Sequence, residues 1–148
     1  MSKLIAELPP ITLNAADSER LHRLAEVTRR RFPQASAFLA REVERADVVD
    51  SWRTLPGLVT MGCEVEFRDD TTGQVRCVTL VYPHEADVSA GKISVLTPIG
   101  AALIGLSVSQ SIEWETTLGE RRSLTVLRVD PFPPAKSDRL VLANPPNP

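Results

Sequence analysis

The side chains best suited to chemistry are few in this 148-residue chain: two cysteines, Cys63 and Cys77, and two histidines, His22 and His84. The cysteines form no Cys-x-x-Cys pair, and neither stands at metal-ligand spacing from a histidine. Both fall on apolar-facing positions of predicted strands, where a thiol behaves as a small hydrophobe, so two buried, reduced thiols are expected. His22 lies between the faces of a predicted helix. His84 follows Pro83 at a strand end, with no carboxylate or cysteine nearby in sequence arranged for a triad or a metal. Asp69 and Asp70 are turn residues of a predicted hairpin, and a calcium loop would need more oxygen ligands in register. No glycine-rich loop carries the lysine of a phosphate cradle. The densest one-sign charge is in "TRRRFPQAS", residues 28–36, where Arg29, Arg30, Arg31 and Gln34 occur with no acid. Its nearest carboxylates are Glu26 and Glu42, each more than a helical turn from the bend. No catalytic residue, metal or cofactor is expected.

Composition bounds the setting in which these residues act. Apolar residues make up 43% and charged residues 24%, the balance of an ordinary globular domain, so one domain or a small domain with an appendage is expected. A formal net charge of −2 argues against a general nucleic-acid-binding surface. The longest apolar run is far short of the roughly 20 residues that cross a bilayer. "MSKLIAELPP" has one lysine and no apolar stretch of signal-peptide length, so a cytoplasmic monomer is expected.

The elements that position the arginines follow from hydrophobic spacing. "NAADSERLHRLAEVTRRRF" predicts a helix over about 15–31, with Asn14 as N-cap, acids in the first turn, and Leu21, Leu24, Ala25, Thr28 and Phe32 on one stripe. Pro33 is expected to stop it, because the residue before a proline is pushed out of the α region. A second helix over about 36–48 carries Leu39, Val43 and Ala46 on one face. The pair makes a helical hairpin with facing stripes, a short antiparallel coiled coil. At Pro56–Gly57 the period changes from about 3.6 to 2. In "TMGCEVEFRDD", Met61, Cys63, Val65 and Phe67 alternate with polar residues. "QVRCVTLVYP", "KISVL", "SIEWETT" and "SLTVLRV" complete five strands with mainly antiparallel neighbours. Between the third and fourth lies "TPIGAALIGL", residues 97–106. Pro98 is pre-set for a first helical position and Gly105 for a terminating one, so a short core helix over 98–104 is expected to pack on a curved sheet. The organisation is α+β: residues 1–53 as helical hairpin, 54–131 as sheet domain, and 132–148 as a proline-rich mobile tail.

"TLVYP" (79–83), "GKISVLTPIGAALIGL" (91–106) and "SIEWE" (111–115), in this order after a helical hairpin, resemble the Gre-factor superfamily. The likeness is strongest to the branch called regulator of nucleoside diphosphate kinase, and it covers roughly residues 11 to 130. "PIGAALIGL" is its most specific piece. The resemblance implies an FKBP-like sheet domain and binding to bacterial RNA polymerase at its secondary channel. In that arrangement the sheet domain grips the rim and the hairpin points inward. It also implies that the rim contact is the loop entering the short helix, here Leu96, Thr97, Pro98 and Ile99. Cleavage-stimulating members carry an acid where this chain has Leu96. Those members present paired carboxylates at the hairpin tip, which help hold a magnesium ion that activates water. The acid-free tip here implies no such activity. "RRR" suits both a solvated turn at a helix C-terminus and a contact with acidic polymerase surface or RNA. A regulator of the polymerase without cleavage activity follows, with no independent sequence-specific nucleic-acid binding. The alternatives are a module for another protein partner and an FKBP-type peptidyl-prolyl isomerase. The isomerase would need an apolar cavity lined by several aromatics, and Phe67 and Trp114 are assigned to strand faces.

Overall fold

The computed structural model describes residues 8–50, 55–116 and 118–130. The boundary expected at 53/54 and the tail at 132–148 lie outside the described residues. Within them the order is β1 (Thr12–Asn14), α1 (Ala15–Val27), α2 (Pro33–Arg45), β2 (Asp47–Val49), β3 (Glu64–Asp69), β4 (Val75–Val81), β5 (Lys92–Ser94), α3 (Pro98–Leu103), β6 (Ser111–Glu115) and β7 (Arg121–Asp130).

Asn14 caps α1 as expected, its side chain accepting from the Asp17 N–H at 2.8 Å. The hairpin departs from expectation in three places. Helix α1 ends at Val27, four residues early, which makes it about 20 Å long at 1.5 Å per residue. Pro33 opens α2 instead of merely closing α1. At the first helical position its missing N–H has no intrahelical partner to lose, so a proline can serve as a start. Finally, α2 ends at Arg45, and Asp47–Val49 pairs in parallel with Thr12–Asn14 to form a two-stranded sheet at the hairpin base. Two three-residue strands carry too little pattern of their own to announce themselves; each is defined by its partner.

The five remaining strands form one sheet in the order β5-β4-β3-β7-β6, antiparallel except for β4–β5. Val65 and Phe67 of β3, Val78 and Leu80 of β4, and Leu124 and Val126 of β7 are buried together, and the core continues without a break into Leu21, Ala25, Leu39 and Val43 of the hairpin. Side chains buried to this degree contribute on the order of 1.5–3 kcal/mol each.

The TPIGAALIGL segment joins the two parts. Every residue from Gly100 to Leu106 is buried. Gly105, at φ +83, donates to the Val59 carbonyl of the sheet part at 3.0 Å and accepts from the Thr12 N–H of the hairpin part at 3.1 Å. Asp17 adds a second tie, accepting from the Met61 N–H at 3.1 Å. Burial pushes the Asp17 carboxyl above its ordinary range, against the pull of that N–H, Asn14 and the Arg20 charge.

One strand-face expectation is corrected. Cys63 is fully buried, but Cys77 is exposed. The β3–β4 register sets Cys77 opposite Glu66 on the outward face, while its neighbour Val78 pairs with Val65 on the inward one. Burial pushes the Cys63 thiol up to about 11, and partial burial followed by the charge of Glu64 raises Cys77 as well. A thiol reagent added to the native protein is therefore expected to give one fast phase, accelerating with pH because the thiolate is the nucleophile. Cys77→Ser should remove it, and the second thiol should react only on unfolding. Two slow thiols would place Cys77 inside.

Candidate functional site

The corner between β5 and α3 is held by a closed set of hydrogen bonds. Ser94 Oγ accepts from the Leu96 N–H at 3.0 Å, and the Ser94 carbonyl accepts from the Thr97 N–H at 3.1 Å and from Thr97 Oγ1 at 2.7 Å. Thr97 Oγ1 in turn accepts from the Gly100 N–H at 3.1 Å and so caps α3, with Pro98 at its start. Leu96 is only 9% exposed, so its side chain belongs to the core and does not project from the corner. The accessible part of the expected contact is Thr97, Pro98 and Ile99, all half-buried.

The hairpin tip is a tight turn. Thr28 Oγ1 lies 2.7 Å from the Leu24 carbonyl, which accepts from it, and 2.8 Å from Ser36 Oγ across the bend. Arg29, Arg30, Arg31 and Gln34 are exposed, and the Arg31 guanidinium lies 5.4 Å from the centre of the Phe32 ring. No carboxylate occurs between Glu26 and Glu42. Glu42 is itself removed from use: its side chain is 0% exposed and is paired with Arg45 at 2.7 Å and Arg41 at 3.4 Å. Arg45 also donates to the carbonyl of Pro9.

Tertiary structure brings the tip-proximal part of α2 and the corner onto one surface. A groove of about 1140 Å³ is lined by Phe32, Gln34 and Phe38 on one side and Thr97, Pro98 and Trp114 on the other. Arg29–Arg31 are not among its lining residues. Phe38 and Arg41 were not singled out from the sequence, and Trp114 was assigned only to a strand face. An aromatic at Phe38 on an otherwise polar helix face, with Arg41 one turn on and 4.8 Å from its ring centre, is the signal that could have found them.

Other candidates have local explanations. Asp69 Oδ1 accepts from the Thr71 and Thr72 N–H groups, and its Oδ2 from Arg122 at 2.6 Å. Asp70 accepts from Arg68, Ser123 and Thr125. Burial would raise both carboxyls, but these bonds outweigh it and hold them below the ordinary range. His22 and His84 are exposed, and no group of three or more His, Cys, Asp or Glu side chains suited to a metal occurs among the described residues. A smaller concavity of about 340 Å³ touches Phe67 and Trp114. Phe67 is 1% exposed, however, with the Arg76 guanidinium 5.8 Å from its ring centre, so it is spent on the core rather than on a binding cavity.

Two family models together account for nearly all of the described chain. Residues 9–49 match the N-terminus of Rnk, and residues 55–131 match the C-terminal part of the transcription elongation factors GreA and GreB. The chain belongs to the Gre-factor superfamily, in its regulator of nucleoside diphosphate kinase branch. The regulator of nucleoside diphosphate kinase from Escherichia coli K12 is 37% identical over 133 residues, 90% of this chain and 98% of that protein. The GreA elongation factor of Syntrophobacter fumaroxidans is 35% identical over 91 residues, 62% of this chain but only 58% of the relative. Among solved structures, a GreA/GreB elongation factor from Nitrosomonas europaea superimposes with a TM-score of 0.64 at 39% identity, covering 82% of this chain and 98% of that one. This Gre-family chain thus shares its mixed helix-and-sheet architecture with a GreA/GreB elongation factor. No helix among the described residues is long and apolar enough to cross a membrane.

Proposed function

We propose that this chain is a non-catalytic transcription regulator that docks on bacterial RNA polymerase at the rim of the secondary channel. It competes there with transcript-cleavage factors without stimulating cleavage. The sheet part, FKBP-like in this reading and spanning 54–131, supplies the grip through Thr97, Pro98 and Ile99. The hairpin, 1–53, is a short antiparallel coiled coil aimed into the channel, and the protein acts as a cytoplasmic monomer.

The observation that carries this reading is the single groove joining the Thr97–Pro98 corner to the Phe32–Phe38 face of α2. A rigid corner loses little conformational freedom on binding, which favours it as an anchor. The absence of cleavage activity follows from the tip chemistry. Holding a magnesium ion takes carboxylate oxygens, and the turn offers guanidinium groups, which only donate hydrogen bonds and carry the wrong charge.

The test is competition of the purified protein against a labelled cleavage factor on core polymerase. Pro98→Lys places a charge on the corner while Thr97 still caps α3. It is expected to weaken competition about tenfold or more, the effect of losing a typical interface anchor. Wild-type protein added to backtracked complexes is expected to leave RNA cleavage at the intrinsic rate. Equal competition by Pro98→Lys would move the docking surface elsewhere, and shortened RNA above the intrinsic rate would refute the non-cleaving role.

A further inference from the structure

Seven arginines among the described residues are paired with carboxylates where they stand. Arg23, Arg41, Arg45, Arg68, Arg121, Arg122 and Arg128 each lie within 3.7 Å of a carboxylate, as at Arg45–Glu42 and Arg122–Asp69, and Arg76 lies over the Phe67 ring. Arg29, Arg30 and Arg31 form the one run of arginines among the described residues without such pairs. They are consecutive and exposed, and no ion pair to them occurs among the described residues. Two apolar side chains frame them, Val27 at 71% and Phe32 at 45% exposure. The turn therefore presents three positive charges without an ion-pair partner among the described residues, against the single nearby carboxylate of Glu26, beside apolar surface at the outer end of a hairpin about 20 Å long. That length is about twice the 8–10 Å over which salt screens a charge, so acids at the hairpin base do not cancel the field at the tip.

We propose that this tip is a second docking point, fitted to a carboxylate-rich protein surface. Its arginines pair with the carboxylates while Val27 and Phe32 cover the apolar ground between them. The choice of partner rests on the polymerase reading above, with the corner as first contact and the tip as second. A protein surface is favoured over a nucleic acid by the charge distribution. The whole chain carries −2, so everything outside these three arginines carries −5. An extended polyanion would meet that negative remainder as soon as it passed the tip, whereas a local carboxylate cluster meets only the tip. Planar guanidinium groups match carboxylates in two-point geometry. The tip of this chain thereby inverts the chemistry of a carboxylate-bearing tip: it takes up carboxylates instead of supplying them.

The experiment titrates core polymerase with the full-length chain, reading displacement of a labelled cleavage factor at low and high salt. The variant is Arg29→Glu with Arg30→Glu and Arg31→Glu, and its thermal midpoint is measured alongside. A milder set, Arg29→Gln with Arg30→Gln and Arg31→Gln, covers the case in which reversal perturbs the turn. At low salt the reversed tip is expected to bind about tenfold or more weakly and the neutral tip by an intermediate factor, both differences shrinking at high salt. If wild type binds and both variants match it, the tip proposal is overturned and polymerase docking stands. If wild type does not bind polymerase at all, both readings fall. If a single-stranded RNA oligonucleotide binds wild type and loses affinity in the variants as steeply as polymerase does, the ligand is phosphate, and docking to a protein is overturned.

Discussion

Gly100→Ala is expected to lower stability by about 3 kcal/mol, the upper part of the range for forcing extra atoms into a packed core. For a chain of this size that is a fall in Tm of about 10 °C. Residue identity alone predicts the opposite sign, because alanine in place of a helical glycine usually gains about 0.5–1 kcal/mol. Packing decides against propensity. A Cβ built on Gly100 would stand 2.2 Å from the Ser94 carbonyl oxygen and 2.9 Å from the Val95 Cα, and both are backbone atoms that no rotamer change can move. Relief would require α3 to lift off the end of β5, which would open the hydrogen bonds from Thr97 to Ser94 and loosen the corner proposed to dock. The variant should therefore lose stability and competition for polymerase together. Thermal unfolding checks the first part, and a Gly100→Ala protein as stable as wild type would show that α3 is free to shift.

Glu42→Ala is expected to cost about 3 kcal/mol. Removing one member of a buried ion pair costs about 3–5 kcal/mol because a charge is left behind. The lower end applies here, since Arg45 is 21% exposed and Arg41 57%, so water solvates part of what remains. The acid has 0% exposure and bonds from both arginines, and Arg45 also reaches the Pro9 carbonyl, so the cluster pins the chain entering β1 to the end of α2. Replacing Glu42 and Arg45 together by leucine should recover more than half of the loss, because no unpaired charge then remains inside. Urea unfolding of the two variants makes the comparison. A double variant as damaged as the single one would show that bridging to Pro9, and not the ion pair, is what matters.

What the sequence determined by itself is whatever depends on neighbours a few residues apart. The change of period at Pro56–Gly57 separated hairpin from sheet. Alternation in "CEVEF" gave β3, and Pro98 with Gly105 delimited α3, because strand period, helix starts and left-handed turns are local properties of the backbone. The absence of acid at the tip was equally plain, since it is a matter of composition within nine residues. Tertiary structure decided what depends on distant partners. Pro33 permits a helix stop or a helix start, and the bend against Thr28 and Ser36 selected the start. Cys77 and Cys63 look alike in alternation, yet the register of β4 against β3 turned one outward. Leu96 is the last residue of the expected strand "KISVL", but β5 stops at Ser94, and the packing of α3 on the sheet drew the Leu96 side chain into the core. The same packing placed Phe38 and Trp114, 76 positions apart, on the two sides of one groove. Burial and register are sums over contacts between segments far apart in the chain, and no single segment carries them.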